Sequence, residues 1–182
     1  MWLVIAAVVV LVAIAAVAWT YSQRQRRIRL RNHFGAEYDR TVREVGSPQK
    51  AEALLAERAR RVKDLKIRKL SREQAETFAR EWKRIQGMFV DDPDAAVSAA
   101  DQLVTGVMTA RGYPLEDFDT RAADLSVEHP RVVENYRIAR TLAVRRNRGE
   151  AGTEELRQAV VNYRALFDDL LKTDEGSYRR AS

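Results

Sequence analysis

The side chains best suited by type to do chemistry are a run of acids and two histidines. Glu116, Asp117 and Asp119, followed by Asp124, Glu128 and His129, place several oxygen donors and one imidazole within a short stretch. A calcium loop needs its oxygen ligands at fixed alternating positions, a central Gly and a terminal Glu, and that frame is absent. Acids directly after Pro114 suit a helix N-terminus, where the dipole and the free amides favour carboxylates. Asp91, Asp92 and Asp94 are expected to serve the same purpose. No metal and no cofactor is therefore expected.

His33 and His129 are the only histidines, and the chain has no cysteine. Disulfides, thiolate nucleophiles and Cys-based zinc or iron–sulfur sites are thereby excluded. Catalysis by histidine needs an acid to orient the ring and a nucleophile in reach. No G-x-S-x-G elbow, H-E-x-x-H pair or G-x-x-x-x-G-K-[ST] loop occurs. The sequence points away from an enzyme, shows no catalytic residues, and indicates no small-molecule substrate.

Aromatic residues offer a second kind of chemistry. Phe78, Trp82 and Phe89 recur at helical spacing, which predicts a buried stripe rather than a stacking platform. Tyr113 and Pro114 differ, because "RGYP" at 111–114 breaks a helix, and aromatics in loops often serve recognition. These two are the candidate partner-contact residues, beside the plain role of a helix end and turn.

The third chemistry is positive charge beside apolar surface. Residues 2–19 carry no charge and no helix breaker, and Arg24, Arg26, Arg27, Arg29 and Arg31 follow directly. A helix over the apolar run is about 27 Å long, near the hydrocarbon thickness of a bilayer. Trp2 stands at one end, with Trp19 and Tyr21 at the other, where amphipathic rings prefer headgroups. A secretory signal carries its charge ahead of a shorter apolar run; here the charge comes after it, although Ala16-Val17-Ala18 resembles a cleavage site. The expected arrangement is a single-pass transmembrane helix in a bacterial inner membrane, with the N-terminus out and the C-terminal domain in the cytoplasm.

Residues 1–72 hold 16 Lys/Arg against 6 Asp/Glu, a net of +10, and residues 73–182 hold 16 against 20, a net of −4. The basic half adjoins the apolar run, so anionic headgroups are its expected partner, at about 1 kcal/mol per Lys or Arg. Arg58 and Arg61, with Arg60, Lys63 and Lys66, extend this basic face along a helix expected over 47–70. The candidate membrane-surface contacts are thus Arg24, Arg26, Arg27, Arg29, Arg31, Arg58 and Arg61. Nucleic acid is the less favoured partner, because no helix-turn-helix or stacking pattern accompanies the charge.

These residues need elements to position them. Tyr38, Val42 and Val45 share a helix face, Gly46 suits a left-handed helix end, and Ser47-Pro48 opens the next helix. Ala51, Leu54, Leu55, Val62 and Leu65 share its apolar face. "SREQ" at 71–74 reads as a capping box ahead of Ala75, Phe78, Trp82, Ile85 and Phe89. Asp92 and Pro93 open a helix carrying Val97, Ala100, Leu103, Val104, Val107 and Met108. Shorter helices follow with Phe118, Ala122 and Leu125, then Val133, Tyr136 and Ala139. Thr153 caps a last helix with Leu156, Val160, Tyr163, Phe167 and Leu170 inside. No strand pattern occurs. The expected fold is all-α: a transmembrane helix at 1–21, a basic juxtamembrane helix at 22–46, a helical domain at 47–172 and a flexible tail at 173–182. About six or seven helices follow the anchor.

The block from "EWKRIQGMFVDDPDAAVSAADQLVTGVMTARGYP" through "DFDTRAADLSVEHPRVVENYR" to "LRQAVVNYRALFDDLL" resembles a group of bacterial proteins. Their pattern is an N-terminal hydrophobic segment, "HFGAEYDRTV"-like text and this helical block. The resemblance spans nearly the whole chain and implies an architecture but no activity. The expected function is a membrane-anchored protein-binding or scaffolding module on the cytoplasmic face. The alternatives are a membrane-tethered nucleic-acid contact and a cleaved, exported helical envelope protein.

Overall fold

A computed structural model describes residues 1–172, apart from the side chains of residues 3–10 and 12. The described residues form eight helices and no strand: α1 (Trp2–Phe34), α2 (Ala36–Val45), α3 (Pro48–Asp64), α4 (Arg72–Asp91), α5 (Pro93–Arg111), α6 (Phe118–Glu128), α7 (Val133–Asn147) and α8 (Thr153–Leu170). The described residues are all-α, with seven helices after the first. It divides into two compact units, Met1–Ala56 and Glu57–Ser182. Among the described residues, no helix is long and apolar enough to cross a membrane. Much of the apolar run behind the expected anchor lies outside the described side chains, as does the whole expected tail at 173–182.

In the first unit, α1 continues through the arginines without interruption and ends at Gly35. The segment 22–46 is therefore not one juxtamembrane helix: its first part completes α1, and its second part is α2. Gly46 ends α2 in the left-handed region with φ 71°, its amide donating to Val42 O at 2.9 Å. Phe34, Tyr38, Ala51 and Leu55 are buried. α2 and the start of α3 each turn an apolar face inward, and Glu37 and Glu52 are buried with it.

The second unit has the larger core. α4 starts at the capping box, where Gln74 N donates to Ser71 Oγ at 3.2 Å and Ser71 N donates to Gln74 Oε1 at 3.0 Å. Asp92 caps α5 by accepting from Ala95 N at 2.9 Å. The last helix starts one residue from expectation in its cap. Gly152 occupies the cap position, and its amide donates to Glu155 Oε2 at 3.1 Å, leaving Thr153 as the first helical residue. Val97, Ala100, Val104, Val107 and Met108 of α5 are buried between helices that supply Trp82, Tyr136, Tyr163 and Phe167. Trp82 stacks on Phe167 at 4.8 Å between ring centroids, and Arg164 lies 5.5 Å above the Trp82 ring. Burying such rings, at about 25 cal/mol per Å² of apolar surface, dominates the stabilisation of this unit.

The helix expected over 47–70 is shorter. α3 ends at Asp64, and the following segment leaves the helix and meets the end of α5, with Arg68 N donating to Arg111 O at 2.8 Å and Arg68 Nε to Ala110 O at 3.0 Å. The carbonyls at the α5 C-terminus lack helical partners, so they accept from a passing backbone instead. Leu70 is buried at the end of this segment.

Candidate functional site

Three helix C-termini of the second unit meet around one buried imidazole. Arg111 is the last residue of α5, His129 is the C-cap of α6, and Asp169 and Leu170 close α8. His129 Nδ1 lies 2.6 Å from Asp169 Oδ2, and its Nε2 lies 3.2 Å from an Arg111 guanidinium nitrogen. Arginine can only donate, so Nε2 must be the acceptor and Nδ1 carries the proton that goes to Asp169. The same Arg111 nitrogen donates to Leu170 O at 3.2 Å, and Glu128 Oε2 lies 3.7 Å from the other. A cation placed against helix C-termini is favourable through both the dipole and the free carbonyls.

Burial and the Arg111 charge hold the His129 ring neutral by lowering its pKa, against the opposing pull of Asp169. Burial alone would raise the Asp169 pKa, but hydrogen bonds from Lys172 and His129 outweigh it and keep the carboxyl below its usual range. An acid-oriented imidazole is half of a catalytic triad. Here the second ring nitrogen faces a guanidinium rather than a nucleophile, so the arrangement fastens three helix ends together and leaves no basic nitrogen open.

Tyr113 belongs to this cluster, which corrects the expectation that it offers an exposed ring. It is only 3 % exposed, and its hydroxyl donates to Glu128 Oε2 at 2.9 Å. Burial first, then the Glu128 charge, raises its pKa. The reason lies in the turn: Gly112 takes φ 96°, which folds Tyr113 back under the end of α5, its amide donating to Met108 O at 3.0 Å. Pro114 is half-buried beside it. The acids after Pro114 act on α6 itself: Asp117 accepts from Thr120 N at 3.0 Å, and the Thr120 hydrogen bonds lower its pKa. Among the described residues no group of three acidic or histidine side chains is placed to hold a metal ion.

A second polar cluster joins α5, α7 and α8. Tyr163 donates to Asp101 Oδ1 at 2.9 Å, and Arg140 lies 3.6 Å from Asp101 Oδ2. A cavity of about 150 Å³ opens beside it, lined by Ser98, Asp101, Arg140 and Arg146 among others. Arg146 already donates to Asp94 O at 2.6 Å and to Ser98 Oγ. The Tyr136 hydroxyl is buried without a hydrogen-bond partner, and burial pushes its pKa up to about 12.

The basic residues divide. Arg27 Nε donates to Glu52 Oε1 at 2.8 Å, and the Tyr38 hydroxyl donates to the same oxygen at 3.0 Å. This bond raises the Arg27 pKa, while burial first and then Glu52 raise that of Tyr38. Arg31 lies 3.6 Å from Asp39. Arg24, Arg26 and Arg29 are exposed on α1, and Arg58 is half-buried on α3. Arg61 turns to Asp124, with Nε 2.9 Å from a carboxylate whose side chain is 2 % exposed. Its charge serves the interior of the second unit, not a purely outward basic face.

Sequence reading missed Glu52, Arg111, Asp124 and Asp169 as organising residues. A signal for each was present: they fall on inward helix faces, three or four residues from Leu55, Met108, Leu125 and Leu166 or next to them. A charge on a buried stripe requires a partner. No protein-family model, curated protein or solved structure matches the chain.

Proposed function

We propose that the chain is a single-pass anchored protein of a bacterial inner membrane, amino end out. Its helical second unit is a cytoplasmic binding or scaffolding module for another protein. The observation that carries the reading is α1. One unbroken helix joins the apolar run at Trp2–Trp19 to the arginines, so the aromatic pair Trp19 and Tyr21 and the charge cluster share one rigid rod. Arginines retained on the cytoplasmic side set the orientation. The binding role is supported by the polar clusters of the second unit, which spend their hydrogen bonds on joining helices to one another.

The test is photocrosslinking in intact cells from Ile138 and Val161. These are 40 % and 48 % exposed apolar positions on the mutually packed helices α7 and α8. Each is replaced in turn by a photoreactive amino acid in the full chain. Both positions are expected to capture the same protein in the membrane fraction. Unrelated captures at the two positions, or none, would contradict the module reading.

A further inference from the structure

The first unit contains a cleft of about 400 Å³, lined by Trp19, Gln23, Arg26 and Arg27 of α1 and by Gln49 and Glu52 of α3. We propose that it holds the phosphodiester headgroup of an anionic phospholipid, of which phosphatidylglycerol is the simplest. The proposal rests on the anchored reading and adds a defined lipid site to it.

Four observations carry it. Trp19, Gln23, Arg26 and Arg27 stand at i, i+4, i+7 and i+8, so one face of α1 presents an interfacial indole, an amide and two guanidinium groups in sequence. This face begins where the apolar run ends and extends about 12 Å along the axis. A headgroup layer is about 5–8 Å deep on each side, and arginine side chains are long enough to reach back into it.

The cleft is built rather than merely basic. Glu52 is buried and fixes Arg27 through Nε, with Tyr38 on the same oxygen, which ties the wall on α3 to the wall on α1. The charges then select the ligand. Glu52 and Arg27 neutralise each other, and Arg26 has no hydrogen bond or ion pair within the described residues. One unmatched positive charge remains, which fits the single negative charge of a phosphodiester. Guanidinium forks hold phosphate oxygens in pairs. The amides of Gln23 and Gln49 both donate and accept, as the hydroxyls of a glycerol headgroup require.

The test uses the full chain in neutral detergent, with bound lipid read by native mass spectrometry. Phosphatidylglycerol is expected to give a one-to-one adduct, and phosphatidylcholine none at equal concentration. Arg26→Gln should weaken the adduct by about tenfold or more, the loss of a charge-assisted hydrogen bond, with helicity unchanged by circular dichroism. Arg24→Gln makes the same charge change elsewhere on α1 and should retain the adduct. Equal loss in both variants would mean diffuse attraction and overturn the site, as would an adduct that survives Arg26→Gln. Displacement of the lipid by millimolar glycerol phosphate would assign the cleft to a soluble phosphate ester and overturn the lipid proposal. Failure of the cleft leaves the chain in the membrane fraction of cells, whereas failure of the anchor releases it.

Discussion

At the scale of single residues, the chain uses charge to join helices. Each of Glu52, Asp124, Asp169 and Arg111 stands on a buried face and is met by a partner from another helix. Removing one partner from such a pair is worse than replacing both, because the remaining charge stays buried and unmatched. His129 makes the clearest case. The folded ring is held neutral by burial and by Arg111, while in the unfolded chain an ordinary imidazole protonates below pH about 6.5. The unfolded state therefore binds the extra proton as pH falls through that value, and stability falls with it. Above that range the ring contributes no pH dependence. Asp169 acts lower: its depressed pKa adds stability above the usual carboxylate range that disappears only in stronger acid. Thermal unfolding of the detergent-solubilised chain between pH 7.5 and 5.5 should show a falling midpoint, with a shallower fall in His129→Gln. Identical slopes would mean that the buried ring titrates as an exposed one does.

At the scale of elements, glycines show how two similar signals carry different weight. Gly46 and Gly112 both end helices with positive φ, 71° and 96°. A Cβ at Gly46 meets nothing within 4 Å, whereas one at Gly112 falls 2.9 Å from the backbone oxygen of Lys66. Gly46→Ala should therefore lose about 1 kcal/mol from backbone conformation alone. Gly112→Ala should lose clearly more, since the segment around Lys66 that accompanies α5 must also move. Chemical denaturation of both variants measures the difference, and equal losses would contradict the packing of residues 66–68 against the α5 end. The helices and their caps were legible because periodicity and capping are local: Ser71-Gln74, Asp92-Pro93 and the stripe around Trp82 are all contained within one helix. The end of α3 was not, because Leu65 and Lys66 continue the helical pattern, and only the free carbonyls of a distant helix draw the chain out at Asp64. Tyr113 was misread for the same reason. Its neighbours suggest a loop, and its burial depends on Glu128, which belongs to the next helix.

At the scale of the whole molecule, charge and apolar surface are distributed unevenly along the chain. The +10 of residues 1–72 begins at the end of the apolar run and extends past the first unit: Met1–Ala56 holds 8 Lys/Arg against 4 Asp/Glu, a net of +4, and Glu57–Ser182 holds 24 against 22, a net of +2. Arg27, Arg31 and Arg61 are partly spent on carboxylates of their own units. Arg24, Arg26 and Arg29 are the exposed cations that remain along α1. Under the proposed anchoring, attraction of these cations to anionic headgroups would act over a Debye length of about 8 Å at physiological salt. It requires α1 to be held at the bilayer with its carboxyl end in the cytoplasm, and orientation is thus the claim on which the rest depends. Because the chain has no cysteine, a single Leu115→Cys substitution, at a loop position 65 % exposed, supplies one reporter thiol. In intact cells that thiol should resist a membrane-impermeant maleimide and react once the cells are opened. Ready labelling in intact cells would place the helical unit outside the cytoplasm and contradict the proposed orientation.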